Sequence, residues 1–413
     1  MRLLDADGFA VLKQRDFVLF LLLRMFGNIA AQMQTVAVGW QVYEKTGNPL
    51  DLGWIGLSQF LPFVLLILPA GHVADHHDRR RILSLCYGVH VLCALALGIY
   101  TWSDSTQVWP IFVVMTLLGM ARAFAMPASQ SLLPNLVTPD QFGRAIAFSS
   151  MVFQASTIAG PTLGGLLLLA GVQTVYVAVV VCSLICVTAM VSMHYRHATQ
   201  VKEAAAELDL KSLLTGLNFV RSQPLMLGAI SLDLFAVLFG GATALLPIYA
   251  SDILHVGPTG LGMLRSAPGV GALVCAIWLS AHPITRHVGR WLFGSVLVFG
   301  ASTVVFGAST SFIVSLVALA GLGASDMMSV FVRNYLVQLI TPDAIRGRVS
   351  AVSSVFIGAS NELGEFESGT TAAWWGTVAA VVVGGSATIV VSLLWMKLFP
   401  ALRRMDKFPD PVR

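Results

Sequence analysis

The chain alternates long apolar stretches with short polar connections. Twelve stretches reach the length of about 20 residues that a helix needs to cross a lipid bilayer. They fall at 17–40, 53–74, 82–103, 109–135, 145–171, 174–195, 225–250, 259–282, 291–309, 312–337, 348–370 and 375–399. Apolar residues run continuously through each stretch instead of alternating, which argues against a transmembrane β-barrel. The pattern therefore predicts an all-α polytopic membrane protein with twelve transmembrane helices.

Composition agrees with a membrane location, and the placement of basic residues predicts the topology. Charged residues make up 11% of the 413 positions and the mean hydropathy is +0.78, whereas soluble domains carry about 25% charged residues. With the N-terminus inside, 20 of the 25 Lys and Arg residues fall in cytoplasmic segments, and only Lys45 falls in an outer loop. Since basic residues concentrate on the cytoplasmic side, both termini are expected there. The net charge of +4 then reflects topology and does not indicate nucleic-acid binding.

An internal repeat relates the two halves of the chain. Residues 143–156 (GRAIAFSSMVFQAS) align without gaps to residues 347–360 (GRVSAVSSVFIGAS), and a Thr-Pro-Asp turn precedes each copy. Thr138 and Thr341 are expected to cap the helices that follow, with proline at the first helical position. The repeat predicts two pseudo-symmetric six-helix bundles with a substrate site near mid-membrane. The predicted domains are an N-terminal bundle at 1–195, a cytoplasmic linker with an amphipathic, membrane-surface helix at 196–224, a C-terminal bundle at 225–399 and a cytoplasmic tail at 400–413.

A motif of glycine, aspartate and arginine follows the second predicted helix. It consists of Gly71, Asp75, Asp78, Arg79 and Arg80. Glycine allows helices to approach closely, and an aspartate can pair with cations or with the N-terminus of a neighbouring helix. The motif resembles the cytoplasmic-loop signature of the major facilitator superfamily, which implies a gating role. Asp78 departs from the signature, which has a second glycine there, and a solvated basic loop is the alternative interpretation.

The fifth predicted helix carries a second motif, formed by Gly160, Pro161, Gly164 and Gly165. Small residues let helices cross closely and proline bends a helix. The motif resembles the Gly-Pro-x-x-Gly-Gly sequence of antiporters in the same superfamily, although helix packing alone could explain it. With the Thr-Pro-Asp turns and the segment 360–369, the chain resembles the enterobactin-exporter-like branch. The resemblance implies export of siderophores, macrolides or other drugs by proton antiport, and it names no cofactor.

Ionisable residues inside the predicted spans are the candidates for proton coupling. Such residues are costly in hydrocarbon and normally face a cavity or a partner. The candidates are Asp233, Asp326, Glu362 and Glu365. A dry cavity disfavours the ionised form of a carboxylate, so these groups could take up a proton near neutral pH. In the repeat alignment, Glu365 falls where the first half has Pro161, so the carboxylates replace the packing motif.

Polar side chains near mid-membrane are the candidates for lining the substrate cavity. They are Arg24, Asn28, Gln32, Arg122, Gln154 and Asn361. Arg24 and Arg122 could attract an anionic substrate or form permanent ion pairs with the carboxylates, and the pattern leaves both open. Arg265, near an outer helix end, is expected to reach to the membrane surface. Arg333 is expected to act as a latch beside the Thr341 turn.

The sequence favours a transporter over other kinds of membrane protein. It contains no HExxH, no GxSxG and no phosphate-binding loop, so an intramembrane enzyme has no supporting motif. A channel or a non-transporting sensor is disfavoured because neither would need the gating motif. The expected protein is a monomeric proton-coupled exporter of the bacterial inner membrane that binds a small molecule and protons. The alternative is a transporter of lysophospholipids or other lipid-like substrates.

Overall fold

The computed structural model describes residues 10–103, 105, 107–194, 210–342 and 345–409. These residues form helices and no β-strand. In the first half the helices are α1 (Arg15–Thr46), α2 (Pro49–His76), α3 (Arg79–Trp102), α4 (Trp109–Leu132), α5 (Pro139–Leu167) and α6 (Val172–Ser192). In the second half they are α7 (Leu210–Ser222), α8 (Pro224–Phe239), α9 (Leu246–Ile248), α10 (Gly257–Ala281), α11 (Val288–Ala308), α12 (Phe312–Ile340), α13 (Arg346–Trp375), α14 (Thr377–Leu398) and α15 (Pro400–Arg403).

Helices of membrane-spanning length account for all twelve predicted stretches. Among the described residues, eleven helical segments are long and apolar enough to cross a membrane. The twelfth is α13, which has 30 residues but is less apolar because it carries Glu362, Glu365 and Glu367. Large apolar side chains also stay on the surface, as Leu65 and Leu92 show with 67% exposure each. The prediction of an all-α polytopic membrane fold is confirmed.

The helices divide into two compact units. The first comprises Met1–Gln41 and Leu61–Glu207, and the second comprises Val42–Phe60 and Leu208–Arg413. The hairpin between α1 and α2 thus packs with the second half of the chain. The two units are defined by which residues contact each other, whereas the predicted domains are defined by the sequence repeat. The predicted domain boundaries therefore remain a prediction.

Small residues set the packing of the second unit. A methyl group built on Gly271 of α10 would lie 1.8 Å from the carbonyl oxygen of Ala320 in α12. One built on Gly323 of α12 would lie 1.9 Å from the carbonyl oxygen of Pro268. The two helices therefore touch backbone to backbone, which is typical of helix crossings in membranes.

The seventh predicted helix is interrupted in the middle of its span. α8 ends at Phe239, and a 3₁₀ turn (Ala242–Leu245), α9 and a π-helical turn (Tyr249–Ile253) continue the path. The break follows two glycines, and a methyl group on Gly241 would lie 2.4 Å from the carbonyl oxygen of Gly364 in α13. Irregular backbone at membrane depth is tolerated where protein or a cavity surrounds it. The interruption therefore lies against α13, beside the candidate carboxylates.

The second Thr-Pro turn differs from the prediction, whereas the linker contains a helix whose membrane-surface position remains a prediction. The predicted amphipathic helix is α7, whose Val220 is only 2% exposed within the core of the second unit. A methyl group on Gly216 would lie 2.9 Å from the carbonyl oxygen of Arg348, so this face of α7 packs on α13. Thr138 precedes α5 as predicted, but Thr341 ends α12 and Ile345 precedes α13. The rest of the predicted linker, 195–209, and Asp343 lie outside the described residues.

Candidate functional site

A buried ion pair joins two helices in the second unit. Arg333 of α12 donates through Nη1 to the carboxylate of Asp233 in α8, and the two residues are only 3% and 6% exposed. The Nε atom of Arg333 has no hydrogen-bond partner. The partner of Arg333 is thus Asp233 and not the Thr341 turn, and its role as a latch remains a prediction. A guanidinium this far from water requires an anion, and Asp233 provides it.

Asp326 lies on the same face of α12 as Arg333. The two are seven residues apart, which is close to two helical turns and about 10 Å along the axis. Asp326 is half-buried, and no ion pair to it is present in the described part of the chain. Desolvation without a matching cation makes Asp326 the candidate carboxylate whose charge is least compensated.

Asp233 separates two small voids. One contains Arg333 and Phe356 in its wall. The other is lined by Asp326, Ser325 and Ser329. Asp233 therefore lies between its partner Arg333 on one side and Asp326 on the other.

A second charged cluster connects three helices of the same unit. The carboxylates of Glu365 and Glu362 on α13 interact electrostatically with Arg265 of α10. Arg265 thus has carboxylate partners in addition to its expected reach towards the membrane surface, which remains a prediction. On α2, a methyl group at Gly56 would lie 3.0 Å from Oε2 of Glu365 and 3.4 Å from Oε2 of Glu362. The glycine lets α2 lie directly over the two carboxylates.

The hairpin between α1 and α2 makes further contacts that the sequence analysis missed. The Tyr43 hydroxyl donates to the carboxylate of Asp252 in the π-helical turn. The rings of Trp54 and Phe366 meet edge to face, with centroids 5.2 Å apart. Residues 209 positions apart leave no periodic signal in a sequence. These contacts attach the hairpin to α13, which carries Glu362 and Glu365, and to the π-helical turn.

In the first unit, the polar residues of α1 pack against α5. Nδ2 of Asn28 donates to the hydroxyls of Ser156 (2.9 Å) and Thr157 (2.8 Å). A methyl group on Gly160 would lie 2.6 Å from Cβ of Gln32. The guanidinium of Arg24 lies 5.4 Å from the ring centre of Phe153. The structure therefore brings these three predicted cavity residues together on one helix crossing.

The glycine-proline motif forms that crossing. A methyl group on Gly164 would lie 3.1 Å from Cα of Met33, Gly165 is buried, and α5 continues through Pro161. In the second unit, Gly364 holds the repeat position of Gly160, and a methyl group there would lie 2.9 Å from the carbonyl oxygen of Leu238. The two halves thus share one close crossing, of α5 on α1 and of α13 on α8.

The other predicted cavity residues lie on α4, α5 and α13. Arg122 is exposed, and its guanidinium lies 5.3 Å from the ring centre of Phe63. Asn361 is exposed and donates to the Ile357 carbonyl of its own helix, at 2.9 Å. Gln154 is half-buried on α5.

The arginine motif after α2 ties together helix ends in the first unit. Asp78 caps α3 by accepting from the backbone N–H of Arg80 at 2.9 Å. Arg79 donates to the Ser131 carbonyl at the end of α4 (2.8 Å), and Arg80 donates to the Met190 carbonyl at the end of α6 (3.2 Å). Basic side chains satisfy helix C-termini in this way. An aspartate replaces the expected glycine because this position is an N-cap with a negative φ of −62°.

Gly71 and Asp75, the other two members of the motif, lie in α2. Gly71 is buried in the helix. Asp75 lies in the last turns of α2, and its side chain lies outside the described part of the structure. The gating role of both residues remains a prediction.

Comparison with known proteins finds relatives over nearly the whole chain. The family model described as "Transmembrane secretion effector" matches residues 6–410. The multidrug efflux pump Tap of Mycolicibacterium fortuitum is 25% identical, over 87% of this chain and 90% of that protein. The enterobactin exporter EntS of Citrobacter koseri is 25% identical, over 95% and 93%. A solved structure of the peptide transporter POT superposes with a TM-score of 0.74 and 13% identity, covering 95% of each chain, which shows a shared fold.

Proposed function

Because the chain belongs to the transmembrane secretion effector family of the major facilitator superfamily, we propose that it exports its substrate by proton antiport. The substrate site would face the two sides of the membrane alternately. Small-molecule efflux is common to its relatives, and the chain is a multi-pass membrane transporter and not an enzyme. We place it in the bacterial inner membrane as a monomer with both termini in the cytoplasm.

The proposal rests on a difference between two carboxylates that border the same void: only one of them forms an ion pair. Asp233 is matched by Arg333, whereas Asp326 borders the same void without a matching cation in the described residues. Asp326 is therefore the group that gains most from taking up a proton. Asp233 and Arg333 hold α8 to α12 and keep the position of Asp326 fixed.

Antiport requires that substrate and proton exclude each other at the coupling group. In its ionised form Asp326 can accept hydrogen bonds from a substrate hydroxyl or bind a cationic amine. In its protonated form it loses the charge that attracts either group. A proton that arrives from outside would therefore release the substrate outwards. Siderophores with hydroxyl donors and amphipathic drugs both fit this requirement, and the similarity to Tap and EntS favours these two classes.

The experiment measures transport of a fluorescent amphipathic cation into everted vesicles. Asp326→Asn should abolish accumulation driven by a pH gradient and should retain exchange of substrate without a gradient. Ser329→Ala is the matched control, since Ser329 lines the same void and carries no charge. Normal gradient-driven accumulation in Asp326→Asn would exclude Asp326 as the coupling group.

The same vesicles distinguish the lipid-like alternative. A lysophospholipid transporter would move fluorescent lysophospholipid at a rate independent of the pH gradient and unchanged by Asp326→Asn. That result, together with no transport of the cation, would replace antiport by facilitated lipid transport.

A further inference from the structure

A cavity of about 750 Å³ opens at one end of the second unit. Its walls come from the start of α11, the end of α14 and the C-terminal segment after α14. Three arginines lie at its rim, namely Arg290, Arg403 and Arg404. This is the end of the helices that charge placement predicts to be cytoplasmic, where anionic headgroups of the inner leaflet are found.

The cavity changes from polar to apolar with depth. Arg290 and Leu297 both line it, and seven residues of helix separate them by about 10 Å along the axis. Phe293 and Met396 also line the cavity. Because α11 and α14 are candidate membrane spans, the inner part lies at the depth of lipid chains. A soluble anion would use only the rim, whereas a lipid would use the whole cavity.

Exposed tryptophans mark the membrane surface close to the rim. Trp278 and Trp291 are 40% and 41% exposed, and their ring centres are 5.7 Å apart. Tryptophan is enriched at the boundary between headgroups and lipid chains. Arg290 precedes Trp291 directly, so the arginine rim stands at headgroup level.

The carboxylate in the cavity wall is already engaged. Asp406 is the one acidic residue among those lining the cavity in the described structure. Its Oδ1 accepts from Nδ1 of His287 at 2.6 Å and from the backbone N–H of His287 at 3.1 Å. The hydrogen bond from the His287 ring holds the pKa of Asp406 below its usual value. Asp406 thus ties the C-terminal segment to His287, the residue before α11.

We propose that this cavity binds an anionic phospholipid from the cytoplasmic leaflet. Arg290, Arg403 and Arg404 bind the headgroup phosphate, for which the guanidinium has a matching geometry. The glycerol backbone and the first part of an acyl chain lie against Leu297 and Met396. The bound lipid then holds the C-terminal segment to α11 and α14.

The first test changes charge alone. The full-length protein in detergent is titrated with phosphatidylglycerol or phosphatidylcholine, and bound lipid is counted by native mass spectrometry. Arg290→Gln/Arg403→Gln should weaken phosphatidylglycerol binding about 25-fold, because each basic side chain near an anionic lipid contributes about fivefold. The charge-matched control is Arg221→Gln/Lys397→Gln, which changes two exposed residues outside the cavity and should bind as the unchanged protein does.

The second test fills the cavity without changing charge. Gly294 lines it, and a methyl group there meets no atom within 4 Å. Gly294→Leu should therefore fold normally and lose the bound phosphatidylglycerol. Gly88 of α3 is a matched control, since it also has open space around it, and Gly88→Leu should keep the lipid.

Three results would overturn the proposal. One is equal binding of phosphatidylglycerol and phosphatidylcholine, and another is unchanged binding in Gly294→Leu. The third is displacement of the lipid by an excess of inorganic phosphate, which would identify a site for soluble phosphate. Retention of phosphatidylglycerol in excess phosphate supports the lipid.

Discussion

Removal of either partner of the Asp233–Arg333 ion pair should destabilise the protein, but the effect of pH on the stability should depend on which partner is removed. Arg333→Gln leaves a buried carboxylate, whereas Asp233→Asn leaves a buried guanidinium. A carboxylate can become neutral by taking up a proton, but a guanidinium stays charged at all accessible pH values. Acidification should therefore relieve the damage in Arg333→Gln and leave the damage in Asp233→Asn unchanged.

The magnitude follows from the burial of the pair. Both side chains are at most 7% exposed, and removal of one partner from a buried ion pair costs about 3–5 kcal/mol. At about 2 °C per kcal/mol for a large domain, the melting temperature should fall by about 6–10 °C. The double variant Asp233→Asn/Arg333→Gln buries no charge and should recover most of that loss.

The assay is thermal unfolding of the purified protein in detergent at about pH 8 and about pH 5, a range in which a buried carboxylate can titrate. Arg221→Gln, which removes an exposed arginine of α7, controls for the loss of one positive charge. In Arg333→Gln the folded state binds the extra proton, so stability rises as pH falls. The prediction would be contradicted if the melting temperatures of the two single variants had the same pH dependence, or if the double variant did not recover the lost melting temperature.

Three further predictions test other contacts. Gly271→Ala should lower the free energy of unfolding by about 1–3 kcal/mol, because the added methyl group would overlap a backbone oxygen. Thermal unfolding in detergent measures this loss, and Gly88→Ala, which has open space around it, should show none. Tyr43→Phe removes the hydrogen bond to Asp252 and should speed hydrogen exchange in residues 47–52; unchanged exchange would show that the contact does not hold the hairpin. His287 lowers the pKa of Asp406, so the contact between them stabilises the C-terminal segment at pH values above the usual aspartate pKa of about 3.9. That stabilisation is lost as the pH falls through the lower pKa that Asp406 has in the folded protein. Proteolysis of that segment should therefore increase on acidification, and Asp406→Asn should be cleaved readily and with little dependence on pH.

The helices and their repeat could be predicted because both depend on local sequence. Apolar length predicts a membrane helix regardless of its neighbours. Gly160 and Gly364 occupy equivalent positions in the repeat, and both permit a close crossing. The interruption after α8 was not predicted, since its residues are as apolar as those of a continuous helix.

The charged site could be predicted only in part. Intramembrane position identifies Asp233, Glu362 and Glu365 as residues that require a cavity or a partner. It does not identify the partners, because pairing depends on how helices far apart in sequence face each other. Arg333 therefore pairs with Asp233 and not with the Thr341 turn, and Arg265 lies near Glu362 and Glu365.

The proposed proton coupling would act in the second unit, because the two halves have the same crossings but different chemistry. In the first unit, Asn28 is held by neutral hydrogen bonds to Ser156 and Thr157, which do not change between pH 5 and pH 8. In the second unit, the equivalent crossing of α13 on α8 is surrounded by carboxylates and arginines, whose attraction depends on protonation. A proton taken up there alters the forces between α8, α12 and α13 directly, while the contacts of α1 with α5 persist. Coupling should therefore begin in the second unit, at the interrupted helix.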